Sequence, residues 1–211
     1  EISVPVRDKG SDQFAARFKK VAKDRRKWAR KNDISCYRIY DADLPDFAVA
    51  IDRYDGVWKS EGQSCLIVAK AEARFEDAVA IASAVTGIPS GRVFAKTRRR
   101  EKGGGQYVDQ QKEGYLMFTQ ETGNIFEVDM GSYLDTGIFL DHRVTREMVG
   151  EMADGKRFLN LFSYTGTCTV HAAVGGAAST LTVDLSQTYL NWARRNMALN
   201  GCDGPEHRFE R

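Results

Sequence analysis

Proline is scarce in this 211-residue chain, with four in all, and there are only four cysteines and three histidines. So few prolines, with apolar residues at 42% and charged residues at 28%, exclude a collagen-like repeat and wholesale disorder. No run approaches the ~18 consecutive apolar residues of a membrane helix. The amino terminus is polar and basic, without the apolar stretch a secretory leader needs. Cys36, Cys65, Cys168 and Cys202 show no C-x-x-C spacing, and with His142, His171 and His207 they form no ligand cluster. No metal and no disulfide framework are therefore expected. These absences leave a cytoplasmic protein of one sizeable or two small folded units, with no membrane partner.

What is present is unevenly distributed. Thirty-one Lys and Arg against 29 Asp and Glu give a formal net charge of only +2. Residues 1–31 hold eleven of those bases and four acids, so that segment is +7 and the remainder −5. From Ser11 to Lys31 the apolar Phe14, Phe18, Val21 and Trp28 recur at helical spacing, with Ser11 or Asp12 as the expected N-cap. Around them, Arg25, Arg26, Lys27, Arg30 and Lys31 join other bases in a cationic surface suited to phosphate contact, or to a plain solvated helix.

Strand-like runs follow at Cys36–Tyr40, Phe47–Tyr54 and Ser64–Ala69, then a helical period over Arg74–Thr86 stopped by Gly87 and Pro89, then a strand at Gly91–Lys96. The short connections favour antiparallel strands in a small α+β unit. A second basic cluster, Lys96, Arg98, Arg99, Arg100 and Lys102, runs into Gly103–Gly105 and reads as a loop, either a phosphate contact or a flexible joint. Tyr115–Thr119 and Ile125–Asp129 form a hairpin around Glu121–Asn124.

From Lys156 the pattern becomes β-α-β-α: strand Arg157–Phe162, helix Thr167–Val174, strand Thr180–Val183, helix Ser186–Leu199. Strands joined by crossover helices should be parallel, which is the opening of an α/β doubly wound sheet. Its first strand runs into Ser163-Tyr164-Thr165-Gly166, a small turn leading straight into a helix, where backbone N–H groups can reach a ligand. Asp184 stands at the end of the second strand, eighteen residues beyond Gly166, where an acid can accept hydrogen bonds from ribose hydroxyls. Ser186 is placed to cap the next helix. Turn and acid imply a nucleoside cofactor, and spacing alone leaves NAD, FAD and S-adenosylmethionine open.

Asn160-Leu161-Phe162-Ser163-Tyr164-Thr165-Gly166, Val183-Asp184-Leu185-Ser186 and, upstream, Tyr133 to Arg143 (YLDTGIFLDHR) together resemble class I S-adenosylmethionine-dependent methyltransferases of large-subunit ribosomal RNA. Cys36 to Asp46 (CYRIYDADLPD), with the basic helix before it, is similar more narrowly to the guanine-N7 half of bifunctional 23S rRNA guanine methyltransferases. The resemblance implies a Rossmann-like fold with an amino-terminal RNA-recognition unit over residues 1–130 and the start of the cofactor domain over 131–211. It implies S-adenosyl-L-methionine as cofactor, held by Asn160, Ser163, Tyr164, Thr165, Gly166, Asp184, Leu185 and Ser186. Phe139, Asp141 and Arg143 would pack over that cofactor, Arg143 or Asp141 meeting its methionine end. It implies 23S rRNA as partner, with Arg25, Arg26, Lys27, Arg30, Lys31, Arg98, Arg99, Arg100 and Lys102 on its phosphates.

The family's Asp-Pro-Pro type motif does not occur, so catalytic contacts are expected beyond Arg211. The likeness to a bifunctional enzyme leaves open a second methyltransferase domain before Glu1. The chain then reads as a fragment with an uncovered sheet edge, inactive alone. Three rivals stand beside this reading. A non-catalytic RNA-binding or assembly module would bind no cofactor. A cytosine-C5 methyltransferase would want a cysteine nucleophile, for which Cys168 is the candidate and helix packing its plainer role. A dehydrogenase is disfavoured because the turn lacks a second glycine for pyrophosphate.

Overall fold

The computed structural model describes residues 8–70, 74–97 and 114–211. The bases Arg98, Arg99, Arg100 and Lys102 lie outside the described residues. The basic segment is one helix, α1, Lys9–Lys31. Its N-cap is Asp8 rather than Ser11 or Asp12: the Asp8 carboxylate accepts from Ser11 N at 3.0 Å. Arg74 accounts for the shift, since its Nη2 holds both Asp8 (2.6 Å) and the Ser11 hydroxyl (2.7 Å), so Ser11 faces inward.

Four strands follow: β1 Cys36–Asp41, β2 Val49–Asp55, β3 Ser64–Lys70 and β4 Val93–Thr97, in the order β1-β2-β3-β4. The first three are antiparallel, as expected, but β4 runs parallel to β3. Helix α2, Phe75–Thr86, is the reason, because a helical connection carries the chain back to the starting end of the sheet. Alternate side chains go to opposite faces. Tyr37, Ile39, Ile51, Leu66 and Val68 pack with Phe14 and Phe18 of α1 and Ile81 of α2. Phe14 stacks flat on Phe47, 4.2 Å between ring centres.

The opposite row, Cys36, Tyr54, Cys65 and Ile67, joins a second core with Met117, Phe126 and Val128 of a hairpin, β5 Leu116–Glu121 and β6 Asn124–Asp129. Its two-residue turn, Thr122-Gly123, has both φ angles positive, the geometry that matches strand twist. Val170 and Met197 complete this core from the other side.

The last sheet is fully parallel in the order β7-β8-β9: β7 Arg157–Leu161, β8 Ser179–Val183 and β9 His207–Glu210. Helix α3, Arg143–Met152, precedes it, and α4 Thr167–Val174 and α5 Gln187–Leu199 make the crossovers. Strand β9 is short and polar at three of its four positions, and the sequence pattern gives no sign of it. One face carries Asn160 and Thr182, both bonded to Thr169 of α4. The other leaves Leu159 and Leu161 exposed, and beyond the strand ends Phe162 and Leu185 are 85% and 82% exposed.

The hairpin is tied to α5 by matched spacing. Ile125 N donates to Asn200 Oδ1 and Glu127 N to Asn196 Oδ1, each at 2.9 Å. Four residues of helix and two of strand both advance ~6–7 Å, so two asparagines one turn apart cover alternate amides of an otherwise unpaired strand edge.

Candidate functional site

The turn after β7 is held in a conformation that ordinary side chains avoid. Phe162, Tyr164 and Gly166 have φ of 57°, 53° and 70°. For the two aromatic residues this costs of order 1–3 kcal/mol each, sustained only where the surroundings fix it. Here Ser163 N donates to Val183 O, Gly166 N to Ser163 O and Asn196 Nδ2 to Thr165 O, at 3.0, 3.0 and 2.9 Å. The buried Thr165 hydroxyl donates to Gly137 O. Gly166 is required twice over, by its φ and because a Cβ there would stand 2.7 Å from that of Ala193.

Asp184, on the loop after β8, closes the turn from the other side. Its Oδ2 accepts from Tyr164 N at 2.8 Å and its Oδ1 from Ser186 N at 2.9 Å. Each carboxylate oxygen keeps a further lone pair, so the two bonds orient the acid without saturating it. Ser186 caps α5 through Tyr189 N, as its position predicts. Leu185 projects into solvent beside it.

Ser163 lies inside the turn, 7% exposed, and its Oγ is buried with no hydrogen-bond partner among the described residues. A buried hydroxyl without a partner costs ~1–3 kcal/mol. Immediately after it, α4 begins at Thr167 with no side-chain cap. Unpartnered hydroxyl, uncapped helix start and carboxylate thus gather at the carboxyl ends of parallel strands, where open α/β sheets take their ligands.

Residues 131–139 form a strap over the turn. The Thr136 hydroxyl bonds that of Tyr54 at 2.9 Å, pinning the strap to β2. Gly137 faces the indole of Trp192 so closely that a Cβ would lie 2.4 Å from Cζ2. Phe139 packs on Tyr164 with ring centres 5.1 Å apart, and Tyr164 meets Tyr189 edge-on at 4.6 Å. This brings Phe139 to the turn.

Arg143 is engaged elsewhere. Its guanidinium lies 4.9 Å from the centre of the Trp28 ring and donates to Glu147 at 3.1 Å, a cation–π contact and an i,i+4 pair that draw it toward α1. Asp141 is exposed on a single 3-10 turn, Leu140–His142, its carboxylate 3.9 Å from His142 Nε2. Asn160 ties β7 to α4 through Thr169. Trp192, Tyr189, Gly137 and Asn196 were missed. The i,i+3 aromatic pair on α5 was their one visible signal, and it reads equally as core.

The bases divide sharply. Arg25, Arg26, Lys27, Arg30 and Lys31 are exposed along the second half of α1. Lys96, grouped in sequence with the second cluster, is instead buried, its ammonium on the Tyr133 carbonyl and its pKa lowered by burial. It is a strut for the strap, not a phosphate contact. All four thiols are pushed up, chiefly by burial, Cys65 to about 11.

Known proteins are similar to this chain in sequence and in fold. Ribosomal RNA large subunit methyltransferase K/L of Methylococcus capsulatus is 49% identical over 203 residues, covering 93% of this chain. The protein of that name from Allochromatium vinosum is 48% identical over 209 residues, covering 96%. The chain spans 28% of the length of each. Among solved structures, one described as a SAM-dependent methyltransferase from Streptococcus mutans aligns with TM-score 0.73 at 25% identity, over 99% of this chain and 54% of that one. Another, described as a methyltransferase complexed with S-adenosylhomocysteine (SAH), gives 0.72 at 25%, over 99% and 53%. The family profile for S-adenosylmethionine-dependent methyltransferases matches residues 74–209, from α2 through the turn and Asp184 to β9, so the chain belongs to that family, with S-adenosylmethionine as its cofactor.

Proposed function

We propose that this chain is part of a 23S rRNA methyltransferase that modifies guanine at N7. Residues 1–130 recognise RNA, and residues 131–211 open the cofactor-binding sheet. The observation that carries the cofactor half is the unpartnered Ser163 Oγ inside a turn whose conformation Asp184 fixes. In this reading Asp184 accepts from the ribose hydroxyls, while Ser163 and the backbone of Tyr164 to Gly166 meet the methionine portion. Phe139 and Tyr164 wall the site from water. Support for the RNA half comes from the relatives' name and from the exposed bases of α1. The relatives are much longer than this chain, so another methyltransferase domain and the catalytic contacts belong to the proposal as parts of the longer protein.

S-adenosylmethionine supplies a methyl group made electrophilic by its sulfonium. Guanine N7 carries a lone pair and no proton at neutral pH, so no general base is needed. The chain's task is to hold the two reactants in line. Cytosine C5 would instead require a nucleophile, and the raised thiol of Cys168, seated on α4, is poorly suited to that role.

Calorimetric titration of S-adenosylhomocysteine tests the cofactor assignment. Asp184→Ala is expected to weaken binding by about tenfold or more, the loss of a charge-assisted hydrogen bond. Unchanged affinity with an intact fold would remove Asp184 from the site. Mapping the methyl group that the longer protein places on unmodified 23S rRNA decides between N7 of guanine and C5 of cytosine. No cofactor binding by the longer protein would favour the RNA-binding scaffold.

A further inference from the structure

Where the second half of α1 passes the end of the first sheet there is a pocket of about 240 Å³, walled by Arg26 and Arg30 and by the turn residue Gln63. Tyr37 and Arg53, opposite each other on β1 and β2, also line it, with Asp55. Arg53 is buried and committed: its Nε lies 2.9 Å from both oxygens of Asp55. Arg26 and Arg30 are not. They stand one helical turn apart, a mildly repulsive i,i+4 arrangement, and neither makes an ion pair among the described residues. Arg17, Arg38 and Arg74, by contrast, are each paired with an aspartate.

With the Arg53–Asp55 pair neutral, the pocket carries a net charge of +2 that no ion pair among the described residues offsets. Tyr37 adds an independent sign of a ligand. The residue is 4% exposed and lines this pocket, and its hydroxyl makes no hydrogen bond among the described residues. Two guanidiniums without an ion pair among the described residues and a phenol thus line one pocket, planar and single donors of the kind that match phosphate oxygens. The volume is below the ~300–1,000 Å³ of sites that enclose a whole small molecule, so the occupant is one unit of something larger.

We propose that this pocket seats a single phosphodiester of single-stranded RNA, gripped jointly by Arg26 and Arg30 with Tyr37 donating. It rests on the reading above that the chain acts on RNA, and it names the contact that sets the strand's register on the first sheet. A joint grip differs from a diffuse cationic helix in a measurable way. Two arginines on one phosphate displace the counterions of one phosphate, so losing both lowers the salt slope by about 0.7, whereas two separate contacts would lower it by about twice that.

The test is fluorescence anisotropy with a short labelled oligoribonucleotide of mixed sequence, across a salt series. The Arg26→Ala/Arg30→Ala double variant is compared with Lys19→Ala/Lys20→Ala, an equal loss of charge on exposed α1 residues outside the pocket. The pocket pair is expected to lose at least about tenfold more affinity than the control, with the smaller slope change. Tyr37→Phe, with no charge altered, is expected to weaken binding a few-fold. Equal losses in the two double variants, or no effect of Tyr37→Phe, would overturn the proposal. So would inorganic phosphate that binds the pocket at saturation without displacing the oligonucleotide, since the occupant would then be a free anion. Titration of S-adenosylhomocysteine alongside separates the two failures. A chain that binds cofactor but no RNA defeats the RNA reading itself, while RNA binding indifferent to Arg26 and Arg30 defeats only the pocket.

Discussion

Asn196 holds the carbonyl of Thr165 with its Nδ2 while its Oδ1 receives the amide of Glu127, both at 2.9 Å and both out of contact with water. One side chain thus fixes the glycine turn against the hairpin. Asn196→Ala leaves a buried carbonyl and a buried amide unpaired, at about 1–3 kcal/mol each. Urea denaturation should show a loss of about 2–4 kcal/mol, and calorimetry a weaker response to S-adenosylhomocysteine under conditions where the variant is folded. A stability loss with undiminished cofactor affinity would mean the turn keeps its shape without Asn196.

Glu121 and Arg146 form a bidentate pair, 2.7 and 2.8 Å, between the hairpin and α3, both nearly inaccessible, with His171 Nε2 3.3 Å from the same carboxylate. Burial alone would raise the carboxyl, but His171 and Arg146 outweigh it and hold it below the ordinary 4.5. Stability from a depressed carboxyl is fully present above the unfolded value and is lost as pH falls through the folded one. The expected window is therefore below about pH 4.5, with little change from this group at neutral pH. Glu121→Gln, which strands the Arg146 charge, should cost about 3–5 kcal/mol and flatten the acid limb of the stability curve. Replacing both residues with Leu and Met should cost much less.

Gly137→Ala sets a methyl group against the Trp192 indole at a φ of 102°, so the strap must lift or α5 must shift. A loss of about 1–3 kcal/mol is expected, with altered tryptophan fluorescence as the local readout. Wild-type stability with unchanged fluorescence would show that the strap does not bear on α5.

Thiol alkylation offers a chemical check. Cys36 and Cys65 are buried with raised pKa values, and Cys168 and Cys202 are raised as well. At neutral pH iodoacetamide should modify all four more slowly than a free thiol, Cys36 and Cys65 only on unfolding. Rapid labelling of Cys168 would revive the cysteine-nucleophile reading.

Much of this was legible in the residues because periodicity reports burial directly. The basic helix, the hairpin, the parallel β-α-β turn and the Asp184 position all follow from local pattern. What escaped depended on partners distant in sequence. Asn196 and Asn200 look like ordinary helix-surface polar residues until β6 lies beside them. Lys96 reads as one base in a run, yet the strap buries it. The parallel β4 followed from α2 acting as a crossover, which connection lengths alone had hidden. Arg143 was drawn off by Trp28, more than a hundred positions earlier.

The hairpin that lines the second core also governs the order in which the molecule can be made. Cys36, Tyr54, Cys65 and Ile67 precede Met117, Phe126 and Val128 in the chain but share one core with them. As the polypeptide leaves the ribosome, the first sheet closes against α1 while its other face stays bare until the hairpin emerges. During that interval the bare face is open to mispairing, and a chaperone would find an apolar target there.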